Sequence, residues 1–181
     1  EISPLFGLTE FGIDDIASVL EFCRSNGITT CMDFMYDKTG ERVMRVPEIM
    51  PLLDYALPSR IEAEQMTGGA TVREMAGRLR EMGCGNVIIK NGAEGCYIKT
   101  ADVERSIAAP EVKAVDTTGA GDSFVAGFIF GLIRSWSIEA CAGFACTVGA
   151  LNCRETGATA GVPDAGEASK YFPEVGRGNH E

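Results

Sequence analysis

The stretch that decides the fold is Val115-Asp116-Thr117-Thr118-Gly119-Ala120-Gly121-Asp122-Ser123-Phe124. A β-rich run ends in it, small residues follow, and an apolar helical run begins, which predicts a strand, a glycine turn and a helix. Glycines let successive backbone N–H groups point into one space, and a helix N-terminus adds the positive end of its dipole. The stretch therefore predicts an anion-binding site.

A carboxylate stands at the start of this predicted helix. The helix dipole favours a negative charge on Asp122. An ionised carboxylate beside an anion site is suited to take a proton from a substrate hydroxyl. Phosphoryl transfer needs both groups, because donors already in place must stabilise the charge on the moving phosphoryl group. The alternative is a glycine turn in which Asp122 only caps the helix.

Outward from this stretch, short β-rich runs alternate with longer amphipathic runs. This alternation predicts an α/β fold with a largely parallel sheet. Serine and threonine caps are predicted before the helices that begin near Arg60 and Val72. Two helices that are apolar nearly all round are predicted from Gly119–Gly121 to about Arg134 and over about 138–153. The other main predictions are a helix over 13–25 and strands over 28–34, 87–90, 96–99, 103–108 and 112–115.

Length and charge narrow the class of protein. The 181 residues suit one domain with its own core, which we assign to residues 1–173, with a loose glycine-rich tail over 174–181. A net charge of −10 repels phosphate backbones, so we expect no nucleic-acid partner. No run reaches the ~18 apolar residues of a membrane span. The opening Glu-Ile-Ser-Pro has no basic region, so no signal peptide is expected.

Cysteine and histidine usage limits the chemistry further. Seven cysteines without a Cys-x-x-Cys pair argue against a disulfide framework or a zinc site and favour reduced thiols in a cytoplasmic protein. The one histidine, His180, lies beside the end of the sequence. A general base is therefore expected to be a carboxylate, lysine, tyrosine or cysteine rather than histidine.

Two common nucleotide motifs are missing from the sequence. A Walker A loop requires a Gly-Lys pair, which does not occur here. The dinucleotide fingerprint requires a third glycine where this sequence has Phe124.

The signature from Asp116 to Phe124 closely resembles the C-terminal signature of the ribokinase-like carbohydrate kinases, the PfkB family. The resemblance continues in residues 58–68, in the strand and glycine turn over 87–95, and in Gly157 and Val162-Pro163. It implies a ribokinase-like doubly wound fold, with a largely parallel sheet flanked by helices. Nothing in the sequence matches the N-terminal half of that family, which carries most sugar-binding groups and the lid. We therefore expect a C-terminal portion of a longer protein.

The resemblance implies a role for each matching residue. Asp122 is the expected catalytic base, and the backbone of Gly119, Ala120 and Gly121 is the expected anion hole. Glu62 is expected to organise Mg²⁺ through water. The residues expected to line the nucleotide are Ser59, Lys90, Asn91, Gly92, Ala93, Glu94, Gly95, Gly121 and Cys146. Some members also bind a monovalent cation, and its expected site here comprises Asp116, the carbonyl of Thr118, and carbonyls near Asn152, Glu155 and Gly157.

Three places depart from the family pattern. Many members continue Pro-Asn-x-Arg after the strand that ends at Asp33, whereas this sequence reads Phe34-Met35-Tyr36-Asp37, which argues against the sugar-acid branch. Ser59 stands where the family has asparagine in its Asn-x-x-Glu segment, so contact with phosphate or Mg²⁺ is expected to be weaker or mediated by water. Gly161 offers no side chain to a cation, which leaves K⁺ dependence open.

The expected function is phosphorylation of a sugar hydroxyl by ATP, with Mg²⁺ as cofactor. A nucleoside kinase of the same family, a non-catalytic nucleotide- or sugar-sensing relative, and a purely structural α/β domain are the alternatives. The expected partners are the sugar and ATP, with neither nucleic acid nor membrane. A homodimer built through the lid is the expected assembly.

Overall fold

The computed structural model describes residues 11–171, apart from the side chains of residues 165, 169 and 171. The chain divides into two compact units. The first comprises residues up to Asn91 together with Tyr97–Arg105, and the second comprises Gly92–Cys96 and the residues from Ser106 onward. The tail predicted over 174–181 and His180 lie outside the described residues, and the single-domain assignment stays a prediction.

The first unit is built from alternating helices and strands. Its helices are α1 (Ile13–Ser25), α2 (Val46–Ile49), α3 (Arg60–Thr67) and α4 (Val72–Glu81), and 3₁₀ turns cover Val43–Arg45 and Met50–Leu52. Strands β1 (Cys31–Met32), β2 (Tyr55–Ala56) and β3 (Asn86–Lys90) alternate with these helices. Apolar side chains from both kinds of element, including Ile16, Leu20, Ile49, Leu79 and Ile89, form its buried core.

The predicted helix caps of this unit are confirmed. Ser59 accepts a hydrogen bond from the backbone N–H of Glu62 at the start of α3, and Thr71 does the same for Glu74 at the start of α4. Each glutamate side chain accepts from the cap residue's own N–H in return. This reciprocal pattern satisfies backbone donors that a helix start leaves without partners.

Strands β4 (Cys96–Lys99) and β5 (Glu104–Ile107) complete a five-stranded sheet of order β1-β2-β3-β4-β5. β1 pairs in parallel with β2, and β2 pairs in parallel with β3. The carboxyl ends of β1 and β3 therefore lie at the same edge of the sheet, where α/β folds place their ligands.

The second unit is dominated by two helices, α5 (Ala120–Ile133) and α6 (Ile138–Asn152), followed by α7 (Ala165–Tyr171). Small residues bring α5 and α6 into backbone contact. A Cβ on Gly127 would lie 3.0 Å from the Ala145 Cα, and the rings of Phe130, Trp136 and Phe144 pack together beside them.

Two strand predictions need correction. The strand predicted over 28–34 is limited to Cys31–Met32, because Ile28 N–H donates to the Cys23 carbonyl and Thr30 N–H to the Asp54 carboxylate. No strand forms over 112–115. There the Val115 N–H donates to the Cys153 carbonyl at 2.7 Å, at the end of α6, rather than to a neighbouring strand. In both places the backbone N–H donates to an acceptor other than the backbone carbonyl of a neighbouring strand.

Within residues 11–171, no helix is both long enough and apolar enough to cross a bilayer.

Candidate functional site

The turn before α5 has a backbone conformation and a close contact that only glycine can accommodate. Gly119 caps α5 with φ of 74°, a left-handed conformation. A Cβ at this position would lie 2.1 Å from the Ala158 carbonyl oxygen. Backbone from the loop after α6 therefore occupies the space where any other residue would place its side chain.

The start of α5 offers donors to an anion. Gly119 has no side chain to cap the helix, so the N–H groups of Gly121 and Asp122 have no side-chain acceptor from the cap residue. Ala120 N–H is already used, donating to the Thr117 carbonyl at 3.2 Å. Ala120 is therefore engaged within the turn, whereas Gly121 and Asp122 offer their N–H groups at the helix start. The side chain of Asp122 is exposed in the same helical turn.

Asp116 braces this turn. Its Oδ1 accepts from the backbone N–H of Thr118 at 2.9 Å and from the Thr118 hydroxyl at 2.7 Å. Its Oδ2 accepts from the Gly157 N–H at 2.9 Å. The Thr118 backbone hydrogen bond, with help from the other two, lowers the pKa of Asp116 below its usual range. An ionised Asp116 thus fastens the turn to the loop that follows α6.

A monovalent cation at the expected site would need oxygen atoms that face one centre. Asn152 is fully buried at the end of α6, and its Nδ2 donates to the Thr118 carbonyl at 3.2 Å and to the Ala158 carbonyl at 3.0 Å. Thr118 therefore directs its carbonyl at an amide N–H. One expected ligand of the cation is therefore already engaged by a protein donor, and the carbonyl ligands expected near Asn152, Glu155 and Gly157 stay a prediction.

The turn expected to line the nucleotide, 92–95, belongs to the second unit. Gly92, Ala93 and Glu94 form an exposed 3₁₀ turn. Gly95 is buried with φ of 89°, and a Cβ there would lie 2.0 Å from the Ile107 carbonyl oxygen. The thiol of Cys146 donates to the same carbonyl at 3.9 Å. The structure thus brings Gly95 and Cys146 together around Ile107.

A thiol pair lies at the same place. A hydrogen bond with Cys146, followed by burial, raises the pKa of Cys96 well above its usual range. Cys96 and Cys146 are both buried. Cys96 is therefore held as a neutral thiol.

In the first unit, three predicted residues gather at the carboxyl edge of the sheet. Lys90 ends β3, and its backbone N–H donates to the Pro58 carbonyl at 2.8 Å, beside Ser59. The Glu62 carboxylate accepts from the Ser59 N–H at 2.6 Å. Burial raises the pKa of Glu62, although its hydrogen bonds to Ser59 and the charge of Lys90 oppose the shift.

Asp33 joins this group. Its Oδ1 lies 2.5 Å from the Lys90 ammonium nitrogen, and the two side chains are only 8% and 12% exposed. The sequence shows Asp33 at the end of a strand, but it does not show that its partner is 57 residues away. The pairing follows from parallel strands whose carboxyl ends share an edge, so the strand assignments were the one signal that pointed to it.

A second group was missed for the same reason. Residues 37–45 are mostly polar in sequence, yet Asp37 is buried and its carboxylate organises the loop. It accepts from the backbone N–H groups of Thr39, Arg42 and Val43. The side chain of Asn152 was likewise not identified as a contact to the turn.

A comparison with known protein families identifies the family of this chain. The family model described as pfkB family carbohydrate kinase matches residues 7–165. The chain belongs to the PfkB family of carbohydrate kinases.

Two individual proteins to which the chain is similar are named as kinases. The chain is 42% identical over 107 residues to an uncharacterized sugar kinase of Archaeoglobus fulgidus, covering 59% of this chain and 42% of that protein. It is 43% identical over 94 residues to a nucleoside kinase of Methanothermobacter thermautotrophicus, covering 52% of this chain and 30% of that protein. The chain thus spans less than half the length of these relatives.

The PfkB fold is also confirmed by a solved structure. Aminoimidazole riboside kinase from Salmonella enterica, crystallised with aminoimidazole riboside and an ATP analogue, superimposes with a TM-score of 0.77 at 28% identity. The match covers 87% of this chain and 57% of that chain. The predicted ribokinase-like α/β fold is therefore confirmed.

Proposed function

We propose that the protein containing this chain transfers the γ-phosphoryl group of ATP to a hydroxyl group of a sugar. The observation that carries the proposal is Asp122, exposed in the first turn of a helix whose N–H donors have no side-chain cap. Membership in the PfkB family supports it. The same turn thus offers an acceptor for a proton and donors for a phosphoryl group.

The reaction assigns one task to each of these groups. The acceptor hydroxyl oxygen attacks the γ-phosphorus while its proton passes to the Asp122 carboxylate. The bond between the γ-phosphorus and the bridging oxygen breaks, and ADP leaves with that electron pair. The N–H groups of Gly121 and Asp122 and the dipole of α5 stabilise the charge on the moving phosphoryl group.

Magnesium, when bound with ATP, neutralises charge on the phosphates. Glu62 fits the proposed role of holding it through water, because the hydrogen bond from Ser59 engages its Oε2 and a carboxylate has further lone pairs to offer. Burial raises the pKa of Glu62, and a nearby cation would favour its ionised form.

The other proposed nucleotide contacts rest on the resemblance and on local geometry. The proposed contacts are Ser59, Lys90, Asn91, residues 92–95 and Cys146. Lys90 is held by Asp33, so it reaches a phosphate only in an orientation that this ion pair allows. A cytoplasmic location and a homodimer built through the family's lid stay predictions.

A nucleoside is the second candidate acceptor. The nucleoside kinase of Methanothermobacter thermautotrophicus is 43% identical over the aligned residues. A sugar and a nucleoside both present a hydroxyl group to the same base, so the chemistry at Asp122 is unchanged. The acceptor alone distinguishes the two candidates.

The test is ATP consumption by the full-length gene product across sugars, sugar acids and nucleosides. Asp122→Asn keeps the size of the side chain but removes the base, and we expect its turnover to fall by roughly a hundredfold or more while ATP still binds. Asp102→Asn, at an exposed turn, is the matched control and should retain full turnover.

Other outcomes of this test would contradict the proposed function. Equal turnover in Asp122→Asn and wild type would show that Asp122 is not the base. ATP binding without turnover on any acceptor would favour a sensing relative. If nucleotide does not bind at all, the chain is a structural α/β domain.

A further inference from the structure

The side-chain amide of Asn152 connects two segments of the second unit. Asn152 is the last residue of α6 and is 0% exposed. Its Nδ2 donates to the carbonyl of Thr118, in the turn before α5, at 3.2 Å. It also donates to the carbonyl of Ala158, in the loop after α6, at 3.0 Å. Both hydrogens of the amide are therefore used to hold the turn and the loop together.

Further contacts make the same connection. Asp116 reaches the loop through its hydrogen bond with the Gly157 N–H. Gly119 lies against the Ala158 carbonyl so closely that a Cβ would be 2.1 Å from it, and a Cβ on Gly161 would be 2.4 Å from the Asn152 carbonyl oxygen. The turn and the loop thus meet backbone to backbone, and the amide of Asn152 lies where carbonyl oxygens converge.

The amide group has the chemical character that converging carbonyls require. Carbonyl oxygens brought close together repel one another unless a positive charge or a hydrogen-bond donor lies between them. An amide NH₂ carries two donors and a partial positive charge. It meets this need with protein atoms, so a monovalent cation is not required between Thr118 and Ala158.

The oxygen atom of the Asn152 amide also indicates that its NH₂ group is the part that matters here. Oδ1 of Asn152 is the one buried side-chain oxygen or nitrogen atom without a hydrogen-bond partner among the residues that the structure describes. A buried acceptor without a partner is unfavourable. Asparagine at this position is therefore best explained by the two hydrogen bonds that its NH₂ group donates.

We propose that Asn152 is a positioning residue that replaces a monovalent cation and holds the Thr118–Gly119 turn in its anion-binding shape. The turn is then formed before any salt or substrate binds. The effect on phosphate binding rests on the proposed function, but the connection between the turn and the loop does not.

The first test needs no variant. Thermal unfolding of the full-length gene product is followed, without substrate, in KCl, NaCl and tetramethylammonium chloride at equal ionic strength. We expect the same Tm in all three salts. A Tm that is higher in KCl or NaCl than in tetramethylammonium chloride would overturn the proposal, because it would show that a small cation stabilises the fold.

Asn152→Asp provides the complementary test. It keeps the shape of the side chain but replaces the NH₂ group with an oxygen that faces the two carbonyls. We expect a Tm below that of wild type in tetramethylammonium chloride and a specific rise in KCl or NaCl. Asn86→Asp is the matched control, because Asn86 also donates through Nδ2 to a carbonyl but on an exposed part of the first unit. It should show no cation-specific rise, and an equal rise in both variants would contradict the proposal.

Asn152→Leu separates positioning from packing. Leucine fills similar space without donors, so we expect its affinity for an ATP analogue to fall by about tenfold, the size expected for two lost hydrogen bonds, with no recovery in KCl. Unchanged affinity in a folded Asn152→Leu protein would exclude a positioning role. If wild type binds no nucleotide, the proposed function fails, while the Tm comparison in the three salts still decides on the role of Asn152.

Discussion

Replacing Gly119 with alanine tests whether the turn before α5 needs both the left-handed conformation and the close approach of the loop. Gly119 has φ of 74°, and its Cβ would lie 2.1 Å from the Ala158 carbonyl oxygen. The left-handed conformation alone costs about 1–2 kcal/mol for a residue with a Cβ. To relieve the contact, the loop must move away, which breaks the hydrogen bond between Asn152 and Ala158.

The expected loss follows from these two effects. A broken hydrogen bond that strands a buried group costs about 1–3 kcal/mol. With the conformational cost, Gly119→Ala should destabilise the protein by about 2–5 kcal/mol in total. Gly40→Ala is the matched control, because Gly40 has φ of 75° with nothing within 4 Å of its Cβ. It should cost about 1–2 kcal/mol.

Thermal unfolding measures the difference between the two variants. For a domain of about 150–250 residues, each kcal/mol lowers Tm by about 2–4 °C, so the Gly119 variant should unfold several degrees below the Gly40 variant. We also expect it to lose affinity for an ATP analogue, which the Gly40 variant should retain. Equal Tm values for the two variants would refute the close approach of Ala158 to Gly119.

Two further predictions concern buried carboxylates of the first unit. Lys90→Met leaves Asp33 buried without its ammonium partner and should destabilise the protein by about 3–5 kcal/mol, measured by urea denaturation. The double variant Lys90→Met with Asp33→Leu should recover part of that loss. If the effects of the two substitutions simply add, the ion pair is not formed. Burial by itself would raise the pKa of Asp37, but hydrogen bonds from Thr39, Val43 and Arg42 outweigh it and lower the pKa to about 2. Because this folded-state pKa lies below the ordinary 3.8, the stabilisation is present above pH 4 and is lost as pH falls towards about 2. The stability advantage of wild type over Asp37→Asn should therefore shrink over that range, and a constant difference would contradict the assignment.

Local sequence patterns predicted the parts of the fold that depend on neighbouring residues. The caps at Ser59 and Thr71 and the bounds of α1 follow from residues within one or two helical turns. The strands were less predictable, because pairing depends on distant partners. The strand expected over 112–115 is absent since its backbone donates to the Cys153 carbonyl, an acceptor 38 residues further along the chain that no local pattern reveals.

The candidate site likewise has features that the sequence predicted and features that only the tertiary structure decided. The signature from Asp116 to Phe124 determined the family, the position of Asp122 and the need for glycine at the start of α5, because turn and helix start are encoded by consecutive residues. Tertiary structure alone decided that Asp33 pairs with Lys90 and that the Asn152 amide lies against Thr118 and Ala158. These contacts join residues that folding brings together, and their chemistry depends on distances and burial that one-dimensional spacing does not contain.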